Sequence, residues 1–164
     1  MFCRRTSGHF GERVWIMKIA IGCDEAACGL RDIIKAHLLA QGHEISDFGT
    51  FDNEPVLYPD VGFKVGEAIM AGQFERGILL CGTGIGMAIS ANKVPGIRAA
   101  QCHDTFSAER ASRSNDAQII TLGARVIGSE LAKVIVDQYL QSTFDGGSSA
   151  AKVDRIAAYE NKGH

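Results

Sequence analysis

The most constraining feature of the sequence is a short apolar run, Gly77-Ile78-Leu79-Leu80-Cys81, that leads directly into the glycine-rich segment 82–86. A run of this length without polar alternation is typical of a central strand that is buried on both faces. Such strands occur in parallel sheets, in which the chain must cross back, usually through a helix, before the next strand. The run therefore favours an α/β domain with helices on both faces of a sheet.

The rest of the chain supports this interpretation, because strand-like and helix-like segments alternate from Met17 onward. Residues 26–41 have apolar side chains at helical spacing, and Gly42 follows them at a position typical of a helix end. The expected strands are 17–23, 43–47, 77–81, 96–101 and 117–122, and the expected helices are 26–41, 59–71, one ending at Asn92, 105–113, 127–141 and 149–160. We predict a three-layer α/β/α, Rossmann-like sandwich with a parallel sheet of about five strands.

Residues 1–16 show neither helical nor strand periodicity and lack the apolar stretch of a secretory signal. We interpret them as an N-terminal extension outside the fold, with a short targeting peptide as the alternative, and expect residues 17–164 to form a single domain.

The composition limits the partners. A net charge of −2 gives no reason to expect nucleic acid as a partner, and no apolar run approaches the ~20 residues of a membrane span. The five cysteines are scattered, without the paired spacing of a zinc site or a disulfide framework. We therefore expect a cytoplasmic protein that holds no metal.

Polar residues follow three of the predicted strands, at the edge where parallel sheets bind their ligands. They are Cys23-Asp24-Glu25, the segment 81–86, and Gln101-Cys102-His103-Asp104. The alternating glycines Gly82, Gly84 and Gly86 allow backbone amides to turn inward as an anion-binding nest at the start of a helix. Beside such a nest, Cys81 is expected to favour the thiolate over the thiol.

Two other interpretations of this glycine-rich segment remain open. Gly82-x-Gly84 could begin a dinucleotide-binding fingerprint with Asp104 on a ribose, but Met87 stands where the third glycine is required. The segment could also be a tight turn beside a buried cysteine. Neither alternative explains why a thiol, a hydroxyl and a nest occur together.

Taken together, the segments around the glycines resemble one family. They are Gly22-Cys23-Asp24, Tyr58-Pro59, 81–86, Ala91-Asn92-Lys93, 96–99, 104–108, Asn115-Asp116 and 123–126. This combination is similar to the type B ribose-5-phosphate isomerase family, which includes galactose-6-phosphate isomerase subunits. The resemblance extends from Met17 to the region of Tyr159, nearly the whole chain.

The resemblance implies an aldose–ketose isomerase of a small phosphorylated sugar that acts through a cis-enediolate and needs no cofactor. It implies that Cys81 moves a proton between C1 and C2, and that Thr83 helps to move the hydroxyl proton. The backbone amides of Gly82 to Gly86 would hold the enediolate oxygen. It further implies a homodimer, with a tetramer as an alternative, in which the partner subunit completes each site by contributing Asn115. The remaining candidates for substrate contacts are Asp24, Glu25, Tyr58, His103, Arg125 and Lys152.

Departures from the family pattern bear on the substrate. Where the family has a histidine after Gly-Cys-Asp and another before Asn-Asp, this chain has Glu25 and Ser114. The second of those histidines is credited with opening the sugar ring. Arginines that bind the substrate phosphate are matched here by Ser148 and Lys152.

A tetrose 4-phosphate cannot close a furanose ring, because its O4 is esterified. Loss of the ring-opening histidine therefore favours a four-carbon substrate, such as erythrose 4-phosphate interconverting with erythrulose 4-phosphate. Ribose 5-phosphate and ribulose 5-phosphate are the alternative pair, in which case His103 could open the ring. A further alternative is a sugar-phosphate-binding member of the fold without catalytic activity.

Two individual assignments also stay open. Glu25 could simply cap the helix that follows it. Arg110 and Arg113 could bind phosphate, although Arg125 is favoured because its motif matches the family.

Overall fold

The computed structural model describes residues 15–162 and confirms the predicted three-layer α/β/α architecture. Within this range, five strands form one sheet in the order β2-β1-β3-β5-β4, and every neighbouring pair is parallel. The strands are β1 (Lys18–Cys23), β2 (Glu44–Asp47), β3 (Arg76–Cys81), β4 (Ala99–Gln101) and β5 (Ile119–Gly123). The apolar run at 77–81 therefore lies in the central strand.

Helices cover both faces of the sheet. They are α1 (Cys28–Ala40), α2 (Tyr58–Met70), α3 (Ile85–Ala91), α4 (Thr105–Arg113), α5 (Ser129–Gln141) and α6 (Ala150–Glu160). Helices α1, α4 and α5 bury apolar side chains in the core on one face, and α2 and α3 do so on the other. The sheet thus separates two hydrophobic cores, as expected for parallel strands with crossover helices.

Several predicted boundaries differ from the structure by one to three residues, and two of these differences have a local cause. The helix expected from residue 26 begins with a 3-10 turn at Glu25–Ala27, because the side chain of Asp24 accepts a hydrogen bond from Ala26 N and α1 starts only at Cys28. The strand expected from residue 96 is reduced to Ala99–Gln101. There Gly96 has a φ of +86°, and a turn hydrogen bond joins Ile97 N to Val94 O.

Most of the predicted N-terminal extension, residues 1–14, lies outside the described residues. The last two members of that segment, Trp15 and Ile16, are exposed and belong to no helix or strand. The proposed domain boundary at Met17 stays a prediction. No helix in the described part of the chain is long and apolar enough to cross a membrane.

Helix α6 packs differently from the other helices, because none of its residues, all of them described, is buried. Just before it, Asp145 N donates to the carbonyl of Arg113 at the end of α4, and at its far end Glu160 accepts from Gly96 N at 2.8 Å. Both contacts lie at the edge of the sheet where the strands begin. Helix α6 therefore lies along this amino edge, opposite to the edge where the strands end.

Candidate active site

The three predicted polar segments, which follow β1, β3 and β4, all lie at the carboxyl edge of the sheet, and the end of β5 lies among them. Strands β1, β3 and β5 are neighbours, with Cys23 paired to Leu80 and Cys81 paired to Gly123 in the parallel register. Asp24 N donates to the carbonyl of Leu80 at 3.2 Å, and Ala124 N donates to the carbonyl of Cys81 at 2.9 Å. The chain therefore leaves all three strands next to the end of β3, where Cys81 lies.

The glycine-rich segment turns backbone donors toward the side chains of Cys81 and Thr83. Gly84 N donates to Cys81 Sγ at 3.1 Å, and Ile85 N donates to Thr83 Oγ1 at 3.3 Å. Gly84 has a φ of +79°, a left-handed conformation that glycine adopts readily and that starts helix α3. The thiol is nearly buried, with Cys81 only 5% exposed.

The positions of Met87 and Asp104 do not support the dinucleotide interpretation. Met87 is fully buried in the core between α3 and the sheet. Asp104 caps helix α4, where its carboxylate accepts from Ser107 N and from the Ser107 hydroxyl, both at 2.6 Å. A role in binding ribose is not needed to account for either residue.

A buried carboxylate and an arginine lie beside the loop. A β carbon placed on Gly82 would stand 3.5 Å from Nη1 of Arg125, so this guanidinium lies against the loop. Burial raises the pKa of the Asp24 carboxyl; the nearby charge of Glu25 raises it further, whereas Arg125 lowers it. These three charged residues therefore lie close together at the edge that contains Cys81.

Tyr58 lies against the glycine-rich loop, and Glu25 contacts the segment that precedes Tyr58. A β carbon on Gly86 would stand 2.5 Å from Cε2 of Tyr58, so only glycine allows the tyrosine ring to approach here. The Glu25 carboxylate accepts from Val56 N at 3.3 Å, in the segment that precedes Tyr58. Asp24, and not Glu25, makes the capping hydrogen bond of the following helix, and Glu25 lies in its first turn.

His103 also lies at this edge. Its Nε2 accepts a hydrogen bond from Gly123 N at 3.1 Å, so in the neutral ring the proton resides on Nδ1. Nε2 is engaged with the backbone, and Nδ1 is the nitrogen that remains for a substrate.

Two predicted residues lie away from this cluster in the same chain. Asn115 follows α4 at the amino edge, where its Nδ2 donates to the carbonyl of Arg110 at 2.9 Å and to Ser114 Oγ at 3.2 Å. Lys152 lies exposed on α6, at the same amino edge. Both residues are remote from Cys81 of their own chain.

The other two candidate arginines are paired on or near helix α4. Arg110 forms an ion pair with Glu109 and lies over the ring of Phe106. Arg113 lies 3.9 Å from the carboxylates of Glu109 and Asp145. Arg125 is therefore the candidate arginine that the fold places against the glycine-rich loop.

Three contacts to this loop were not predicted from the sequence. Gln101 Nε2 donates to the carbonyl of Thr83 at 2.7 Å, and Thr121 Oγ1 donates to the carbonyl of Gly84 at 2.8 Å. A β carbon on Gly123 would stand 2.7 Å from the same Thr83 carbonyl. The sequence places Gln101 in a polar segment at the end of a predicted strand, but no local pattern links it to Thr83.

Comparison with known proteins gives one consistent result. The Ribose/Galactose Isomerase family matches residues 19–156. The chain is 53% identical to ribose-5-P isomerase B of Listeria innocua, covering 89% of this chain and 99% of that protein. It is 54% identical to D-erythrulose-4-phosphate isomerase of Pectobacterium atrosepticum, covering 90% and 97% respectively. The fold is similar to that of ribose-5-phosphate isomerase B from Clostridium thermocellum, with a TM-score of 0.87, 49% identity, and coverage of 89% of this chain and 99% of that one.

The fold and the matched length define an enzyme of the isomerase class. The chain belongs to the ribose/galactose isomerase family. The class predicted from the glycine-rich loop and its neighbours, a sugar-phosphate isomerase, is thereby confirmed.

Proposed function

We propose that this isomerase interconverts an aldose phosphate and the corresponding ketose phosphate through a cis-enediolate, with Cys81 as the base. The observation that carries this proposal is the contact of 3.1 Å between Gly84 N and Cys81 Sγ, with the Thr83 hydroxyl on the next turn of the loop. The thiolate is the form of a cysteine that can accept a proton, and the backbone N–H of Gly84 is directed at this sulfur.

Cys81 and Thr83 together can carry out every proton transfer that the reaction requires. The Cys81 thiolate takes the proton from C2 of the aldose, and negative charge develops on O1. The Thr83 hydroxyl relays the O2 proton to O1, and the thiol returns its proton to C1 as the C2 carbonyl forms. No electron leaves the substrate, so the reaction needs no redox cofactor.

Charge on the enediolate oxygen is the main obstacle in such a reaction. Fixed backbone amides of the 82–86 loop would stabilise that charge, and preorganised donors of this kind often supply the largest part of the rate enhancement. Arg125, which lies against Gly82, is the residue of this chain best placed to bind the phosphate. The engagement of His103 Nε2 with Gly123 N counts against a ring-opening role through that nitrogen.

We propose a four-carbon substrate, erythrose 4-phosphate and erythrulose 4-phosphate, over the five-carbon pair. Relatives of 53% and 54% identity are named for ribose 5-phosphate and erythrulose 4-phosphate respectively, so overall similarity does not separate them. Ser114 favours the tetrose, because a serine hydroxyl does not titrate near neutrality and this one donates to the carbonyl of Arg110 at 2.9 Å. An acyclic tetrose phosphate needs no ring-opening acid.

We further propose a cytoplasmic homodimer in which Asn115 and Lys152 serve the site of the partner subunit. Both residues lie at the amino edge, away from Cys81 of their own chain. Helix α6 buries none of its described side chains in the monomer. Apolar side chains near the loop are also exposed, with Ile89 at 58% and Phe106 at 70%, as expected of a surface that a second subunit covers.

The test is an assay of the purified protein against tetrose, pentose and hexose phosphates in deuterated water. The proposal predicts isomerisation with incorporation of solvent deuterium at carbon, and the highest kcat/KM for the tetrose. Equal kcat/KM for ribose 5-phosphate would reject the four-carbon assignment and leave the isomerase. Binding of a sugar phosphate without deuterium incorporation would instead indicate a non-catalytic member of the fold.

A further inference from the structure

We propose that Gln101 and Thr121 are positioning residues that fix the two peptide groups on which the geometry at Cys81 and Thr83 depends. The inference rests on the proposed function of those two residues. Gln101 and Thr121 are direct partners in the parallel register of β4 and β5, so their side chains leave the sheet side by side. Each of them donates a hydrogen bond to a carbonyl of the glycine-rich loop.

The first peptide group joins Thr83 to Gly84. Its carbonyl oxygen accepts from Gln101 Nε2 at 2.7 Å, and its N–H donates to Cys81 Sγ at 3.1 Å. Because a trans peptide is planar, its C=O and N–H point in opposite directions. Holding the carbonyl toward Gln101 therefore keeps the N–H directed at the sulfur.

The second peptide group joins Gly84 to Ile85 and is held in the same way. Its carbonyl accepts from Thr121 Oγ1 at 2.8 Å, and its N–H donates to Thr83 Oγ1 at 3.3 Å. Thr121 is fully buried, so this hydrogen bond is protected from exchange with water.

The loop needs such restraints because of its composition. Glycine populates both signs of φ, so the dihedral angles of Gly84, which has a φ of +79°, restrain the two peptides little by themselves. The second peptide is also held by helix α3, in which Ala88 N donates to the Gly84 carbonyl at 3.1 Å. Rotation of the first peptide would remove the donor from the Cys81 sulfur and present a carbonyl oxygen to it. The hydrogen bonds from Gln101 and Thr121 add one restraint to each of these peptides.

The experiment compares Gln101→Ala and Thr121→Val with Thr121→Ser, which keeps the hydroxyl. Gln118→Ala is the matched control, because Gln118 also bonds a backbone carbonyl, that of Gly96 at 2.9 Å, but at the amino edge. For each variant we would measure kcat, KM, the folded fraction, and the rate at which iodoacetamide alkylates Cys81 at pH 7.

The positioning role predicts that kcat is about tenfold lower in Gln101→Ala and Thr121→Val, with KM within about twofold of the wild-type value. The effect is moderate because the two side chains orient the peptide groups whose N–H groups donate to Cys81 and Thr83, and do not themselves donate to those residues. Alkylation of Cys81 should slow in parallel. Thr121→Ser should recover most of the kcat, and Gln118→Ala should lower only the melting temperature. If Thr121→Val does not fold, the kcat and the alkylation rate of Gln101→Ala test the proposal.

Unchanged kcat and alkylation in folded Gln101→Ala and Thr121→Val would reject the proposal. So would a loss of kcat that only follows the folded fraction. If the wild-type protein isomerises no sugar phosphate, the proposed function fails. The alkylation rates then test the positioning role independently.

Discussion

Gly123 lies so close to Thr83 that a β carbon on it would stand 2.7 Å from both the carbonyl carbon and the carbonyl oxygen of Thr83. The obstacle is backbone and has no flexible end that could move aside. The backbone at the end of β5 therefore packs directly against the backbone of the glycine-rich loop. Any side chain at position 123 must therefore displace the loop or the end of β5.

We expect Gly123→Ala to lower kcat/KM by at least tenfold, because a misplacement of about 1 Å can cost that much or more in a positioned site. Gly128→Ala is the control. Gly128 has a φ of −79° and a β carbon there would meet nothing within 4 Å, so this variant should keep full activity. Steady-state kinetics of both variants checks the expectation, and equal activities would contradict it.

Replacement of the proposed base is expected to separate chemistry from folding. Cys81→Ala should reduce kcat to near the background rate while substrate binding and melting temperature change little, because the thiol acts in the transition state. Isothermal titration with the substrate and a thermal melt provide the two controls. Substantial remaining kcat would assign the base elsewhere, with Glu25 as the next candidate.

Selective alkylation tests the same residue without mutation. Burial raises the pKa of both Cys23 and Cys102 to about 12, so these thiols are protonated at pH 7 and react slowly. Iodoacetamide should therefore label Cys81 before Cys23 or Cys102, in step with loss of activity. Peptide mass mapping of partly inactivated protein would reveal a different order.

The sequence predicted the parts of this site that depend on local patterns. The buried strand ending at Cys81, the glycines after it and the helix beginning beyond them follow from periodicity and turn chemistry. The hydrogen bonds from Gln101 and Thr121 could not be predicted from the sequence. Gln101 is 18 positions from its partner in the chain and Thr121 is 37 positions from its own, and the sheet register brings them together. Such contacts are fixed by packing between elements, on which the local pattern carries no information.

The substrate assignment can be tested by restoring the missing imidazole. Ser114→His should raise kcat/KM for ribose 5-phosphate by roughly tenfold or more, the lower range of acid–base assistance, and change the tetrose little. Ser114→Ala is the control, because it removes only the hydroxyl that bonds the carbonyl of Arg110. An equal gain for both sugars would indicate that ring opening is not the step affected.

Asp24 should make stability depend on pH. Burial raises its folded-state pKa above the ordinary 3.8, so its ionisation destabilises the folded state as pH rises through that range. Asp24→Asn removes this penalty and retains an acceptor for Ala26 N. We expect the variant to melt higher than wild type at pH 7, with a smaller difference at pH 4. A lower melting temperature at pH 7 would mean that attraction to Arg125 outweighs burial.

Removal of residues 1–16 is expected to leave activity and melting temperature unchanged. Met17 is hydrogen-bonded to the rest of the fold, because its backbone N–H donates to His43 Nδ1 at 3.2 Å. Burial lowers the pKa of His43, so the ring is neutral and remains an acceptor at pH 7. A chain starting at Met17 keeps this contact. A clear loss of stability or of the dimer would place the removed segment within the structure.

The placement of Cys81 and Asn115 at opposite edges of the sheet has a genetic consequence. In the proposed dimer, each site combines Cys81 of one chain with Asn115 of the other. A mixed dimer of one subunit lacking Cys81 and one lacking Asn115 gathers both lesions in one site and leaves the second site intact. Two alleles that are each inactive alone would therefore complement each other in the same cell, whereas two alleles altered at Cys81 would not.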